Sequence, residues 1–156
     1  MLKLQKNLQA GFTIIELLIV IAIIGILATL VLTNFQGAQA KGRDTVRKND
    51  INSIYQKLEE YYNENGSYPG AALAASTFPG IDAEALVDAD GATITSSFDT
   101  AKPAAPTMTT TNEYRYAAYG DGSVATTCDA TNGCLHYDLY AFLEKETPQY
   151  TKASLN

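Results

Sequence analysis

The longest apolar run of the chain lies close to its N-terminus. Between Phe12 and Leu32 the only ionisable side chain is Glu16, and the other polar side chains are two threonines. At ~1.5 Å of rise per residue, a helix over this run would be about 30 Å long, which matches the hydrocarbon core of a bilayer. The pattern therefore predicts a transmembrane helix, which we assign to residues 12–33.

A second helical pattern follows this run. Apolar and aromatic residues recur at helical spacing over Ile51–Tyr62, which is typical of an amphipathic helix with one buried face. Asn65-Gly66 is a helix stop signal at the C-terminal end of the pattern. The simplest interpretation is one helix over residues 12–64, in which residues 34–64 continue the membrane segment as an amphipathic helix.

The residues after this helix, 65–156, are predicted to form a globular head. Residues 70–112 are rich in Ala, Ser, Thr and Pro, which predicts a surface loop. Within this loop, Asp82 is a candidate N-cap for one short helix.

Period-two patterns between residues 113 and 146 predict antiparallel strands. They cover 113–119 and 134–146, and Val124–Thr127 is a candidate for a further strand. One face of the last strand carries Leu135, Tyr137, Leu139, Ala141 and Leu143, and we expect it to pack on the helical stripe of Ile51, Ile54 and Leu58. The predicted fold class is α+β, a long N-terminal helix packed on a small antiparallel sheet.

Charge is distributed unevenly along the chain, whose formal net charge is −6. Lys3 and Lys6 are the only charged residues ahead of the apolar run, which predicts a cytoplasmic N-terminus and a head outside the membrane. From residue 65 onward there are eleven acidic and four basic residues. An acidic head argues against a nucleic-acid partner, because phosphate contacts need a basic surface.

A basic cluster at the start of the amphipathic segment is the exception. It comprises Lys41, Arg43, Arg47 and Lys48. We interpret it as a solvated helix face, with lipid headgroups or acidic patches of neighbouring subunits as the alternative contacts.

The segment at the head of the apolar run carries a specific motif. Gly11-Phe12-Thr13-Ile14-Ile15-Glu16 resembles the class III signal of type IV pilins and their relatives. The resemblance implies that residues 1–11 are a leader, which a prepilin peptidase removes by cutting between Gly11 and Phe12. It also implies N-methylation of Phe12, and an assembly role for Glu16 as the partner of a neighbouring subunit's terminal amine.

Physical chemistry supports a partner for Glu16. A carboxylate inside a membrane helix costs a few kcal/mol and marks a functional position. Glu16 lies one helical turn from Phe12, so the amine of a parallel neighbouring helix with a small stagger would reach it. Many pilins carry a proline where this chain has Thr33, so any local melting of the helix in a filament is expected at the glycines between Gly25 and Gly42.

The two cysteines, Cys128 and Cys134, are close enough in sequence to close a short loop. Zinc-type CxxC spacing is absent, and an extracytoplasmic head favours a disulfide over two unpaired thiols. No cofactor is expected, and calcium at Asp88-Ala89-Asp90-Gly91 is a weak candidate because the full calcium-loop pattern is missing.

The function that this pattern favours is structural. No nucleophile elbow, phosphate loop or HExxH motif is present, so an enzyme is not expected. The leading hypothesis is a type IV pilin that leaves the cytoplasmic membrane and polymerises into a surface filament for adhesion or twitching motility. The alternatives are a major pseudopilin of type II secretion and a minor or competence pilin that takes up DNA.

The expected partners follow from the leading hypothesis. They are other copies of the chain, prepilin peptidase, the assembly machinery of the inner membrane, and membrane lipid before assembly.

Overall fold

The computed structural model describes residues 11–76, 78, 80–108, 113–122, 127–146 and 149–156, with the backbone alone at Thr33. Within this part of the chain there are two compact units. One ends at Ala38, and the other runs from Gln39 to Asn156.

The first element is a helix, α1, over Ile14–Asn65. It begins two residues later than predicted, because Thr13 takes the N-cap position. It ends at the predicted stop signal, where Gly66 has a φ of 72° and its N–H donates to the carbonyl of Tyr62 at 2.8 Å. A left-handed residue after the last turn satisfies a carbonyl that the helix leaves unpaired, and glycine adopts it without strain.

The apolar part of α1 has the properties of a membrane span by length and composition. Its best 18-residue window has a mean hydropathy of 3.0, and none of that window is buried. The exposed fraction is 87% for Phe12 and 81% for Ile14, and large apolar side chains stay exposed as far as Phe35.

The unit from Gln39 to Asn156 contains a four-stranded sheet in the order β1-β2-β3-β4. The strands are β1 Thr95–Asp99, β2 Tyr114–Tyr119, β3 His136–Phe142 and β4 Gln149–Ala153. Strands β2, β3 and β4 pair antiparallel, whereas β1 pairs parallel with β2. The predicted α+β class, with one long helix and a largely antiparallel sheet, is confirmed.

The core of this unit lies between α1 and one face of the sheet. Ile51, Ile54 and Leu58 are fully buried in one cluster with the predicted β3 residues Tyr137, Leu139 and Ala141. The packing prediction is therefore confirmed for these positions. Leu135 is 41% exposed and lies before the first residue of β3, so it was wrongly placed on the core face.

The other face of the sheet is covered by the segment 100–108, which was predicted to be surface loop. Met108 packs on Ala117 and Tyr140, and Lys102 Nζ lies 2.8 Å from Oδ2 of the buried Asp138. Both faces of the central strands are therefore buried, because the segment 100–108 packs on the face that α1 does not cover.

Three further assignments within 70–156 are corrected. Strand β1 lies inside the predicted loop 70–112, and β4 lies beyond the predicted last strand. The predicted short helix is a single 3₁₀ turn, Ala83–Leu86, capped by Asp82 as expected. The candidate strand Val124–Thr127 falls mostly outside the described residues, and Thr127 is not in a strand.

Candidate functional site

The N-terminus of α1 is capped by three reciprocal hydrogen bonds between Thr13 and Glu16. Glu16 Oε2 accepts from the Thr13 backbone N–H at 2.9 Å and from the Thr13 hydroxyl at 2.8 Å. In return, the Glu16 N–H donates to Thr13 Oγ1 at 3.3 Å. This is a capping box, in which the N-cap hydroxyl and the third helical residue satisfy each other's backbone donors.

This arrangement holds the Glu16 carboxylate at the end of the helix, beside the proposed cleavage point. Gly11, Phe12 and Glu16 are all exposed in the single chain. The carboxylate therefore has a local hydrogen-bond donor and stays open to a second, charged partner. Cleavage after Gly11 and methylation of Phe12 remain predictions.

Thr13 is the residue in contact with Glu16 that the sequence analysis did not single out. Its signal was present, because Thr13-Ile14-Ile15-Glu16 has the spacing of a capping box. The resemblance implies a role for the Glu16 carboxylate, but it implies none for the Thr13 hydroxyl.

The predicted cysteine pair is a disulfide in the unit from Gln39 to Asn156. Cys128 and Cys134 are bonded, with their Cα atoms 5.1 Å apart. The loop that they close packs on the chain just after α1, where the backbone of Tyr68 pairs with that of Cys134 in both directions. A Cβ at Gly70 would lie 2.1 Å from the backbone of Asp129, so glycine is required for this approach.

Removing the disulfide is expected to destabilise the head by about 2 kcal/mol, because the short loop gains freedom in the unfolded chain. The Cys128→Ser/Cys134→Ser variant should show this loss in urea unfolding of the detergent-solubilised chain. Reducing the wild-type chain should reproduce the loss, and the reductant should not change the double variant. An unchanged urea midpoint in the variant would contradict the prediction.

A buried charge network replaces the solvated basic face that was predicted for residues 41–48. Arg47 is fully buried, and its guanidinium contacts four carboxylates. The distances are 3.1 Å to Asp88, 3.3 Å to Asp44, 2.7 Å to Glu144 and 3.5 Å to Asp90. The network joins α1 to the turn after the 3₁₀ helix and to the segment after β3.

The neighbouring basic residues are also engaged within the chain. Arg43 donates two hydrogen bonds to Glu144, at 2.7 and 2.6 Å, and Lys48 pairs with Glu146. The interpretation as a solvated face or a lipid contact was therefore wrong for Arg47. Arg43 and Lys48 are partly exposed and paired within the chain, and Lys41 is exposed as predicted.

The same contacts bear on the weak calcium candidate. The Asp88 carboxylate is held by the Arg47 guanidinium. Among the described residues, no group of three or more His, Cys, Asp or Glu side chains has a metal-binding arrangement.

Glu144 should make stability sensitive to acid. Its hydrogen bonds to Arg43, with those to Arg47, lower the pKa of this carboxyl from 4.5 to about 2. Since the folded pKa is the lower one, the stabilisation is complete above about pH 4.5 and is lost as the pH falls towards 2. Melting temperatures of wild type and Glu144→Gln should therefore converge over this window, and a constant difference would contradict the assignment.

The comparison with protein families points to the N-terminal segment. The family described as "Prokaryotic N-terminal methylation motif" matches residues 6–32. No solved structure matches the chain significantly.

Curated relatives extend the similarity past this motif. Type II secretion system core protein G of Pseudomonas aeruginosa is 39% identical over 66 residues, 42% of this chain and 46% of that protein. Core protein G of Aeromonas hydrophila is 38% identical over 80 residues, 51% of this chain and 52% of that protein. Type IV major pilin protein PilA of Myxococcus xanthus is 40% identical over 58 residues, 37% of this chain and 26% of that protein.

The chain thus spans about half the length of the two core G proteins that it matches. The methylation motif and relatives of both kinds agree on one similarity. The chain is similar to the pilins and pseudopilins of the type IV pilin family.

Proposed function

We propose that the chain is the structural subunit of a filament, a type IV pilin that polymerises through the apolar part of α1. The observation that carries this proposal is the exposed apolar surface from Phe12 to Phe35. A surface of this extent needs a bilayer or other apolar helices to cover it. Lipid covers it before assembly and neighbouring copies cover it afterwards, which accounts for a membrane stage and a filament stage.

Assembly uses the single carboxylate of this surface. Cleavage by prepilin peptidase after Gly11 creates a positive amine on Phe12, and that amine pairs with Glu16 of a neighbouring copy. In the single chain the Thr13 N–H and hydroxyl satisfy Glu16, so the carboxylate has a partner while the subunit waits in the membrane. In apolar surroundings, an axial stagger between neighbouring helices that leaves the amine or the carboxylate unpaired is destabilising. The ion pair therefore selects the register between the helices.

Two observations bear on the kind of filament. A surface pilin is favoured by the similarity to the major pilin PilA and to a fimbrial protein, and the disulfide-closed loop fits a head outside the cytoplasm in either case. The second candidate is the major pseudopilin of a type II secretion system, which is favoured by several relatives named core protein G. In either case the chain is a structural subunit and its location is the cytoplasmic membrane followed by a filament.

The test is to shear filaments from cells and identify their main component and its N-terminus by mass spectrometry. Surface filaments made of this chain, beginning at methylated Phe12, are the expected result. A secretion defect on deletion, without surface filaments, would assign the chain to a pseudopilin instead. A chain that keeps residues 1–11 and stays in the membrane would overturn the proposal of a filament subunit.

A further inference from the structure

An acidic groove runs along one flank of α1 in the unit from Gln39 to Asn156. It has a volume of about 590 Å³, and its wall is mostly apolar, formed by Val46, Ala83, Ala85, Val87 and Ala89. Asp50, Asp82, Glu84 and the Arg47-bound Asp88 also line it, and none of its described lining residues is basic. Val46 is 49% exposed, so the groove combines an uncovered apolar wall with three carboxylates, Asp50, Asp82 and Glu84, that form no ion pair with any described residue.

The opposite flank of α1 carries a positive charge without a partner. Lys41 is exposed and, unlike Arg43, Arg47 and Lys48, makes no ion pair with any residue that the structure describes. At ~100° per residue, Lys41 is about 180° from Asp50 around the helix axis. The lysine therefore cannot fold back into the groove of its own chain.

We propose that the acidic groove of one copy receives Lys41 of the next copy, so that heads contact one another through opposite flanks of α1. This inference rests on the proposed filament. The stem of a lysine covers apolar surface while its ammonium stays near carboxylates, which fits the alanine and valine wall and acidic rim. The two contacting surfaces differ, so each copy binds one neighbour through its groove and another through Lys41. Such a contact repeats along a filament and does not have to close into a ring.

Cross-linking in assembled filaments tests the contact. Filaments of the Lys41→Cys/Glu84→Cys chain, treated with a short bismaleimide, should give a ladder of oligomers. Filaments that mix Lys41→Cys copies with Glu84→Cys copies should give dimers only, and either single variant alone should give monomers. The native cysteines are held in the disulfide, and Lys41→Cys/Glu64→Cys, with its second site in the last turn of α1, is the matched control.

Several outcomes would overturn the contact while leaving the filament subunit intact. They are filaments of normal yield without cross-links, equal ladders from the Glu64 control, or dimers from a single variant. Calcium that raises the melting temperature of wild type but not of Glu84→Gln, without cross-links, would assign the groove to a metal instead. Absence of filaments from the wild-type chain would contradict the proposed function itself.

A charge exchange provides a second measurement that does not depend on cysteine variants. Lys41→Glu should lower filament yield about tenfold, because it places like charges together. Lys41→Glu/Glu84→Lys should restore the yield, since the pair is reversed. Failure of the exchange to improve on Lys41→Glu would overturn the pairing.

Discussion

Glu16→Ala is expected to abolish filaments while leaving cleavage after Gly11 and membrane insertion unchanged. The substitution removes the only ionisable side chain between Phe12 and Leu32, so the helix becomes easier to insert. In a filament, however, the amine of each neighbouring copy would lose its carboxylate. Breaking a buried pair by removing one partner costs about 3–5 kcal/mol, which corresponds to a loss of at least about 100-fold in each association step.

The measurement is filament yield from sheared cells, together with N-terminal analysis of the membrane fraction. Thr29→Ala is the matched control, because Thr29 is another polar residue of the same apolar segment and its hydroxyl donates only to the Ile26 carbonyl, at 2.7 Å. Wild-type yield from Thr29→Ala and none from Glu16→Ala would assign the effect to the carboxylate. Normal filaments from Glu16→Ala would contradict the assembly role, and uncleaved Glu16→Ala would shift the role to processing.

The features that sequence predicted well are local ones. The start of the apolar run, the stop at Asn65-Gly66 and the Ile51, Ile54, Leu58 stripe depend on residues within a few turns of one helix. The disulfide depends on two cysteines six positions apart. Each of these needs no information about distant parts of the chain.

The strands that were missed depend on distant partners. Strand β1 has the sequence TSSFD, in which polar residues hide the pattern of a half-buried strand. It is ordered by a parallel pairing with β2, whose register matches Thr95 to Arg115. Strand β4, QYTKA, is an edge strand without a fully buried residue, so burial leaves little trace in its sequence.

Burial of Arg47 could not be predicted for a related reason. A charged residue on a helix is usually exposed, and the near partner Asp44 gives only a common surface pair. The partners that bury it, Asp88 and Glu144, are 41 and 97 positions away. Only the folded arrangement shows that Arg47, alone among the four residues of the basic cluster, is part of the core of the head.

Arg47→Ala is the substitution in the head with the largest expected effect. Asp44 and Asp88 are 1% and 3% exposed, so the variant leaves carboxylates buried without a counter-charge. Asp44 also accepts the backbone N–H groups of Glu144 and Lys145, at 2.8 and 2.9 Å, so its displacement would loosen the segment after β3. The expected loss is about 4 kcal/mol in the free energy of unfolding.

Comparing the unfolding free energies of Arg47→Ala and Arg43→Ala isolates the effect of burying the arginine. Arg43 also binds Glu144, but its side chain is 38% exposed, so its loss should cost about 1 kcal/mol or less. Urea unfolding of the detergent-solubilised chain can be followed by tyrosine fluorescence, since the chain has no tryptophan. Arg47→Lys should fall between the two variants, because an ammonium keeps the charge but cannot span several carboxylates as a planar guanidinium does. Equal losses for Arg43→Ala and Arg47→Ala would mean that the network acts as a surface ion pair, and that the head is held by its apolar core alone.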